Sequence, residues 1–218
     1  MLIIGLTGSI GMGKTTVAAH IASRGVPVLD SDGTVHRLYA GDAAPHVEAA
    51  FPGTTVDGKV DRARLAVALM QVTDGFAKLE ALIHPLVRQA QWQFLREQDA
   101  AGAAMCVLDI PLLFETGGDR LMDATVVVSA PEHIQAARVA SRPGMTPEKL
   151  AAIRTRQLHD AEKRARADYV IDTGLPWEET REQVDNLLES LKTQPGGAFE
   201  RWRQLNEAGS GESSRPKN

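Results

Sequence analysis

The chain has 218 residues, 43% hydrophobic and 24% charged, with a formal net charge of −4. That is the make-up of an ordinary soluble globular protein, with room for one medium domain with insertions or for two small ones. The charge offers no footprint for nucleic acid or a membrane surface, a single cysteine excludes an internal disulfide, and no apolar run approaches the roughly 18 residues of a membrane span.

The first predicted element is a strand over Leu2–Leu6. It is too short and too interrupted by glycine for the apolar region of a signal peptide, so a cytoplasmic setting is expected. Directly behind it, Gly8-Ser9-Ile10-Gly11-Met12-Gly13-Lys14-Thr15 satisfies GxxxxGK[ST], and Thr16 to Ser23 read as the first turns of a helix. Strand, glycine-rich loop and helix is the context of a P-loop. Glycines let backbone N–H groups turn inward around a polyphosphate, and the helix N-terminus adds its partial positive charge. Gly8, Gly11, Met12, Gly13, Lys14, Thr15 and Thr16 are therefore the expected nucleotide-binding residues. Lys14 would reach the β- and γ-phosphates and the Thr15 hydroxyl would hold Mg²⁺. A nucleoside triphosphate is the implied ligand.

A second strand is predicted over Val26–Leu29, followed by Asp30-Ser31-Asp32 at the carboxyl edge, where open α/β sheets place ligands. One carboxylate there can accept a substrate hydroxyl proton while the other assists Mg²⁺ or orientation. The competing reading is an aspartate capping a helix near Gly33–Tyr39. About 75 residues then separate strands two and three, far more than one crossover helix needs. That interval carries helical patterns over Arg62–Met70, Phe76–Ile83 and Leu86–Glu97, and Pro85 is expected to break or kink the chain after His84. It reads as a mostly helical insertion. His84 and Arg88 put donor and cationic groups beside that break, although a lone histidine is more often structural. No two of the six histidines show zinc-ligand spacing.

Further strands are predicted over Met105–Ile110, Thr125–Val128 and Tyr169–Ile171, apolar throughout, as strands buried on both faces of a parallel sheet are. Cys106 falls inside one of them and reads as a small buried hydrophobe, not a nucleophile. Pro131 and Pro147 fit the first position of two helices. A last helix over Glu178–Leu191 carries Val184, Leu187, Leu188 and Leu191 as its core stripe. Between them Arg138, Arg142, Arg154, Arg156, Lys163, Arg164 and Arg166 form a basic segment. Guanidinium groups stabilise a transferring phosphoryl group, and on a mobile lid they exclude water. Arg138 and Arg142, one turn apart and just before Pro143-Gly144, are the candidates; most of the other charges belong to a solvated face. From Gln194 onward polar residues dominate. Gly209–Asn218 at least is expected without fixed structure, while Phe199-Glu200-Arg201-Trp202 adds a short helix.

These residues resemble the dephospho-coenzyme A kinase family over roughly residues 1–190. The resemblance runs through Gly5-Leu6-Thr7-Gly8, Ile10-Gly11, Gly13-Lys14, Asp30-Ser31-Asp32 with Arg37, Asp57-Gly58 with Asp61-Arg62, and Leu79-Glu80 with His84-Pro85 and Arg88. It continues in Pro111-Leu112-Leu113-Phe114-Glu115, Gln135 with Arg138 and Arg142, Gln157, and Ala167-Asp168. The P-loop is shared by many families; the His-Pro pair and the Pro-Leu-Leu-Phe-Glu string are far more specific. Ser9, Met12, Thr15 and Thr173 depart from the family's usual residues, Thr173 standing where asparagine is common.

The resemblance implies an α/β fold: a P-loop kinase-like three-layer core with a central parallel five-stranded sheet, a helical acceptor-binding insertion and a helical lid. The expected bounds are 1–35, 104–137 and 165–192 for the core, 36–103 for the insertion, 138–164 for the lid and 193–218 for a largely disordered tail. By the same similarity Asp32 takes the proton of the acceptor 3′-hydroxyl and His84 and Arg88 contact the acceptor; of the two carboxylates read above, that leaves Asp30 for Mg²⁺ beside Thr15. ATP and dephospho-coenzyme A are the implied substrates and coenzyme A and ADP the products. Alternatives are another small-molecule P-loop kinase, with a nucleoside or sugar-acid acceptor, and a GTPase-like switch. Asp30-Ser31-Asp32-Gly33 formally matches DxxG but lies too close behind the P-loop, and none of Asn186, Asn206 and Asn218 opens an Asn-Lys-x-Asp guanine reader. Oligomeric state is not legible.

Overall fold

A computed structural model describes residues 1–211. The chain divides into two compact units, one of residues 1–29 and 95 onward, the other Asp30–Phe94.

The first unit is built on a five-stranded sheet of β1 (Leu2–Thr7), β2 (Val28–Asp30), β5 (Met105–Asp109), β6 (Ala124–Ser129) and β7 (Tyr169–Asp172), in the order β2-β5-β1-β6-β7. β1 pairs parallel with both β5 and β6, with Leu6 opposite Asp109 and Val126, and β6 pairs parallel with β7. All five strands fall where the apolar runs predict them, to within two residues at each end. Every residue of β1, β5 and β6 is buried, because helices cover both faces.

Alternation of period two sorts the core. Leu2, Ile4 and Leu6, Met105 and Val107, Val126 and Val128, and Ile171 point to one face. There they meet Val17, Ala18 and Ile21 of α1 (Lys14–Ser23) and Val184, Leu187, Leu188 and Leu191 of α9 (Trp177–Leu191). The stripe read from the sequence of α9 is thus its buried face. The chain winds from β1 outward to β2, returns to β5, and then crosses to β6 and β7 on the far side of β1. The carboxyl end of β1 is therefore where the winding reverses, the place an open α/β sheet offers a ligand.

α6 (Glu132–Ala140) is capped by Pro131, one position earlier than expected, whereas Pro147 opens α7 (Pro147–Arg154) as its first residue. α8 spans Asp160–Arg166. The tail departs from its expected disorder, since α10 runs over Ala198–Gly211. Trp202, only 1% exposed, holds it down, its indole N–H donating to the Leu121 carbonyl. A four-residue aromatic cue understated the helix because the partner surface is remote in sequence. Residues 212–218 of the expected disordered segment lie outside the described residues.

The second unit contains α2 (Ser31–Tyr39), α3 (Ala44–Ala50), a two-stranded pairing of β3 (Thr55–Val56) with β4 (Lys59–Val60), α4 (Arg62–Gln71) and the start of α5 (Gly75–Ala100). Ala43, Val47, Phe51, Leu65, Leu69 and Ile83 form its core. The hairpin was not anticipated. Its turn residues Asp57 and Gly58 both have positive φ, the Asp-Gly signature of a two-residue primed turn. Pro85 does not break the chain: the two expected helices are one, α5, with Pro85 inside it. Proline removes the hydrogen bond to the carbonyl four residues earlier and crowds that carbonyl with its ring; here Ala81 and Pro85 are both exposed, so the carbonyl can tilt outward to water.

Candidate active site

The loop between β1 and α1 is shaped by glycine. Gly11 and Gly13 have φ of 81° and 85°, where other residues are strained, and a Cβ on Gly11 would stand 2.6 Å from Val139. A Cβ on Gly8 would stand 2.7 Å from the Val128 carbonyl of β6. Side chains from elsewhere pin the loop from outside. Gln135 of α6 donates to the Ile10 carbonyl at 2.8 Å, and the Ile10 N–H donates to Gln157 at 3.1 Å. The Thr173 hydroxyl donates to the Met12 carbonyl at 2.7 Å. The inner side is left open. Among the described residues the N–H groups of Gly11, Gly13, Lys14 and Thr15 have no acceptor, and the first turn of α1 holds no acidic residue. Four converging donors on a helix N-terminus make an anion cradle.

Lys14, the first residue of α1, pairs with Asp109, the last residue of β5, which is only 4% exposed. Asp109 escaped the reading of the sequence. Its signal was there: the apolar run Met105-Cys106-Val107-Leu108 ends in a carboxylate at the sheet edge that carries the P-loop. Thr15 and Thr16 are exposed at the helix start. A cavity of about 350 Å³ opens beside them, bounded by Gly13, Thr16, Arg138, Arg142, Leu175 and Trp177. Arg138 is half-buried and braced, donating to the Thr173 carbonyl at 2.7 Å and to its hydroxyl at 3.1 Å. Arg142 is exposed at the rim. Thr173, at 6% exposure, is a brace between the P-loop and Arg138, and its hydroxyl is spent on that work.

The rest of the basic segment sorts by burial. Lys163 was expected among the surface charges, yet it is completely buried. It donates to Glu115 at 2.9 Å and to the Pro111 carbonyl at 3.2 Å, so the Pro-Leu-Leu-Phe-Glu string anchors α8. Glu115 also accepts from the Leu158 N–H at 2.9 Å. Arg166 lies 4.7 Å over the Phe114 ring and pairs with Asp119 at 3.3 Å. Arg142, Arg154, Arg156 and Arg164 are exposed. Cys106 is fully buried and its thiol is pushed up to about 12 by burial, which leaves it a core residue.

In the second unit, Asp30 caps α2: its carboxylate accepts from the Asp32 N–H at 3.0 Å. Asp32 itself is exposed in the first turn, and His84 and Arg88 are exposed four residues apart on α5, one above the other on a helix face. No group of three or more His, Cys, Asp or Glu residues that could hold a metal occurs among the described residues, and no described helix is long and apolar enough to cross a membrane.

An open N–H cradle behind the central strand, at the reversal of a parallel sheet and beside a paired lysine and aspartate, defines a P-loop nucleotide-binding protein. The model of the family described as dephospho-CoA kinase matches residues 2–176. The dephospho-CoA kinase of Mesorhizobium japonicum is 55% identical over 196 residues, 90% of this chain and 100% of its own length. That of Brucella melitensis is 52% identical over 198 residues, 91% of this chain and 99% of its own. Among solved structures, a Thermus thermophilus protein superposes with a TM-score of 0.77 at 34% identity, covering 88% of this chain and 98% of that one. The Campylobacter jejuni dephospho-CoA kinase shares the fold, with a TM-score of 0.66 at 22% identity and 87% and 96% coverage. The chain belongs to the dephospho-CoA kinase family.

Proposed function

We propose that this chain transfers the γ-phosphoryl group of ATP to the 3′-hydroxyl of dephospho-coenzyme A, giving coenzyme A and ADP, in a cytoplasmic setting. Identity above 50% across nine-tenths of the chain, with the relatives matched nearly end to end, carries this reading. Within it the cradle of N–H groups holds the polyphosphate. Lys14 moves from Asp109 to the β- and γ-phosphates, where charge develops in a loose transition state. Arg138 and Arg142 neutralise the equatorial oxygens from the cavity wall. Asp32 takes the proton of the attacking hydroxyl, and His84 and Arg88 hold the phosphate-bearing acceptor.

Mg²⁺ fits the residues present. It keeps several waters and binds through one or two protein oxygens plus phosphate, and Thr15, exposed at the start of α1, offers one such oxygen. The Thr15 hydroxyl and the carboxylate of Asp109, at the sheet edge beside Lys14, are the oxygens we assign. Asp30 is less suited, because its carboxylate already caps α2. When bound there, Mg²⁺ would supply neutralisation of the charge that develops on the transferring phosphoryl group.

A coupled assay of ADP release tests the proposal, with ATP and dephospho-coenzyme A against adenosine and gluconate as decoys. Acceptor-dependent turnover confined to dephospho-coenzyme A is the expected result. Turnover with a decoy alone refutes the acceptor assignment, and GTP hydrolysis without acceptor dependence refutes the kinase.

A further inference from the structure

Two glutamines hold consecutive peptide planes of the P-loop from opposite elements. The trans peptide is planar, so its C=O and its N–H point in opposite directions. Gln135, itself 8% exposed, donates to the Ile10 carbonyl. That fixes the Ile10–Gly11 plane and turns the Gly11 N–H, which has no protein acceptor among the described residues, away from Gln135. Gln157, between α7 and α8, accepts from the Ile10 N–H and so fixes the preceding Ser9–Ile10 plane. The carbonyl of that plane, Ser9 C=O, faces the other way and accepts from the Met12 N–H at 3.1 Å, closing the turn. A flip of the Ile10–Gly11 plane turns about Ile10 ψ and Gly11 φ, and glycine at the second of these lowers the steric barrier to presenting the Ile10 carbonyl to an anion.

We propose that Gln135 and Gln157 are positioning residues that lock these two peptides in the orientation that binds polyphosphate. This rests on the ATP-binding reading above. Gln157 is rooted independently of the loop: the next residue, Leu158, is held by Glu115, which also pairs with the buried Lys163. The clamp is therefore preorganised at the moment of binding, which is where affinity for a charged ligand is gained.

Gln157→Met keeps length and bulk and removes the acceptor; Gln135→Met does the same for the donor. Equilibrium dissociation constants are to be measured by calorimetry for ATP, inorganic tripolyphosphate and dephospho-coenzyme A, with Tm alongside. Loss of one neutral hydrogen bond should weaken ATP and tripolyphosphate alike by roughly 3- to 10-fold. Affinity for dephospho-coenzyme A and the Tm should stay near wild type. Unchanged ATP affinity in Gln157→Met overturns the proposal. So does weakened ATP with unchanged tripolyphosphate, and so does an equal loss for both substrates with a lower Tm. Gln157 is partly exposed, so its variant decides the matter if Gln135→Met does not fold. A wild type that binds ATP but fails to phosphorylate dephospho-coenzyme A would refute the acceptor assignment and leave this test standing.

Discussion

At the scale of single residues, Lys14 and Asp109 have to be considered together. A lysine beside phosphate is a preorganised charge, and removing one such donor costs about 10²- to 10³-fold in kcat. Lys14→Met should lose at least that much. It should also lower Tm, because the ion pair with the buried Asp109 is lost. Adding Asp109→Asn should recover the Tm and not the activity. Recovery of kcat in the double variant would show that Lys14 serves the fold alone. The aspartates after β2 separate in the same way. Asp32→Asn should lower kcat by about 10²- to 10⁴-fold with ATP affinity within a few-fold of wild type, as removal of a general base does. Asp30→Asn should keep the cap, since asparagine caps as well as aspartate, and show kcat and Tm near wild type. Kinetics and melting curves on both variants check the assignment; a dead Asp30→Asn beside an active Asp32→Asn reverses it.

At the scale of elements, the sequence was most legible where patterning is local. Five apolar runs became five strands, and the stripe on α9 became its buried face, because burial repeats with the period of the element. It was least legible where an element depends on a distant surface. α10 is fixed by Trp202, whose indole reaches a carbonyl 81 residues away. Trp202→Ala should cost about 3 to 5 kcal/mol, the usual cost of emptying a buried aromatic site. For a chain of this size that lowers Tm by on the order of 10 °C, and KM for ATP should not change. A smaller shift with retained helicity would mean that α10 is held by other contacts. In α5 the local rule overstated the effect of proline, since the helix runs on through Pro85 without a break.

At the scale of the whole molecule, the two units divide the proposed labour. The P-loop, Arg138 and Arg142 belong to the first, and Asp32, His84 and Arg88 to the second. Variants should divide likewise. His84→Ala and Arg88→Ala should each raise KM for dephospho-coenzyme A by about tenfold and leave KM for ATP and the Tm in place, because both side chains are exposed. Equal shifts in both KM values with a falling Tm would make the pair structural.

The sequence by itself determined the class of fold, the phosphate-binding loop and the family, since each is written in short spacings: glycines five residues apart, apolar runs, a His-Pro pair. Tertiary structure alone decided which polar groups do which work. Lys14 meets Asp109 across 95 residues, and Thr173 meets Met12 across 161. Lys163, indistinguishable in sequence from its exposed basic neighbours, is sealed against Glu115. A local pattern records how a residue repeats along its own element. It carries no record of the partner that a buried charge or hydroxyl must find, and that partner is supplied by the packing of elements far apart in the chain.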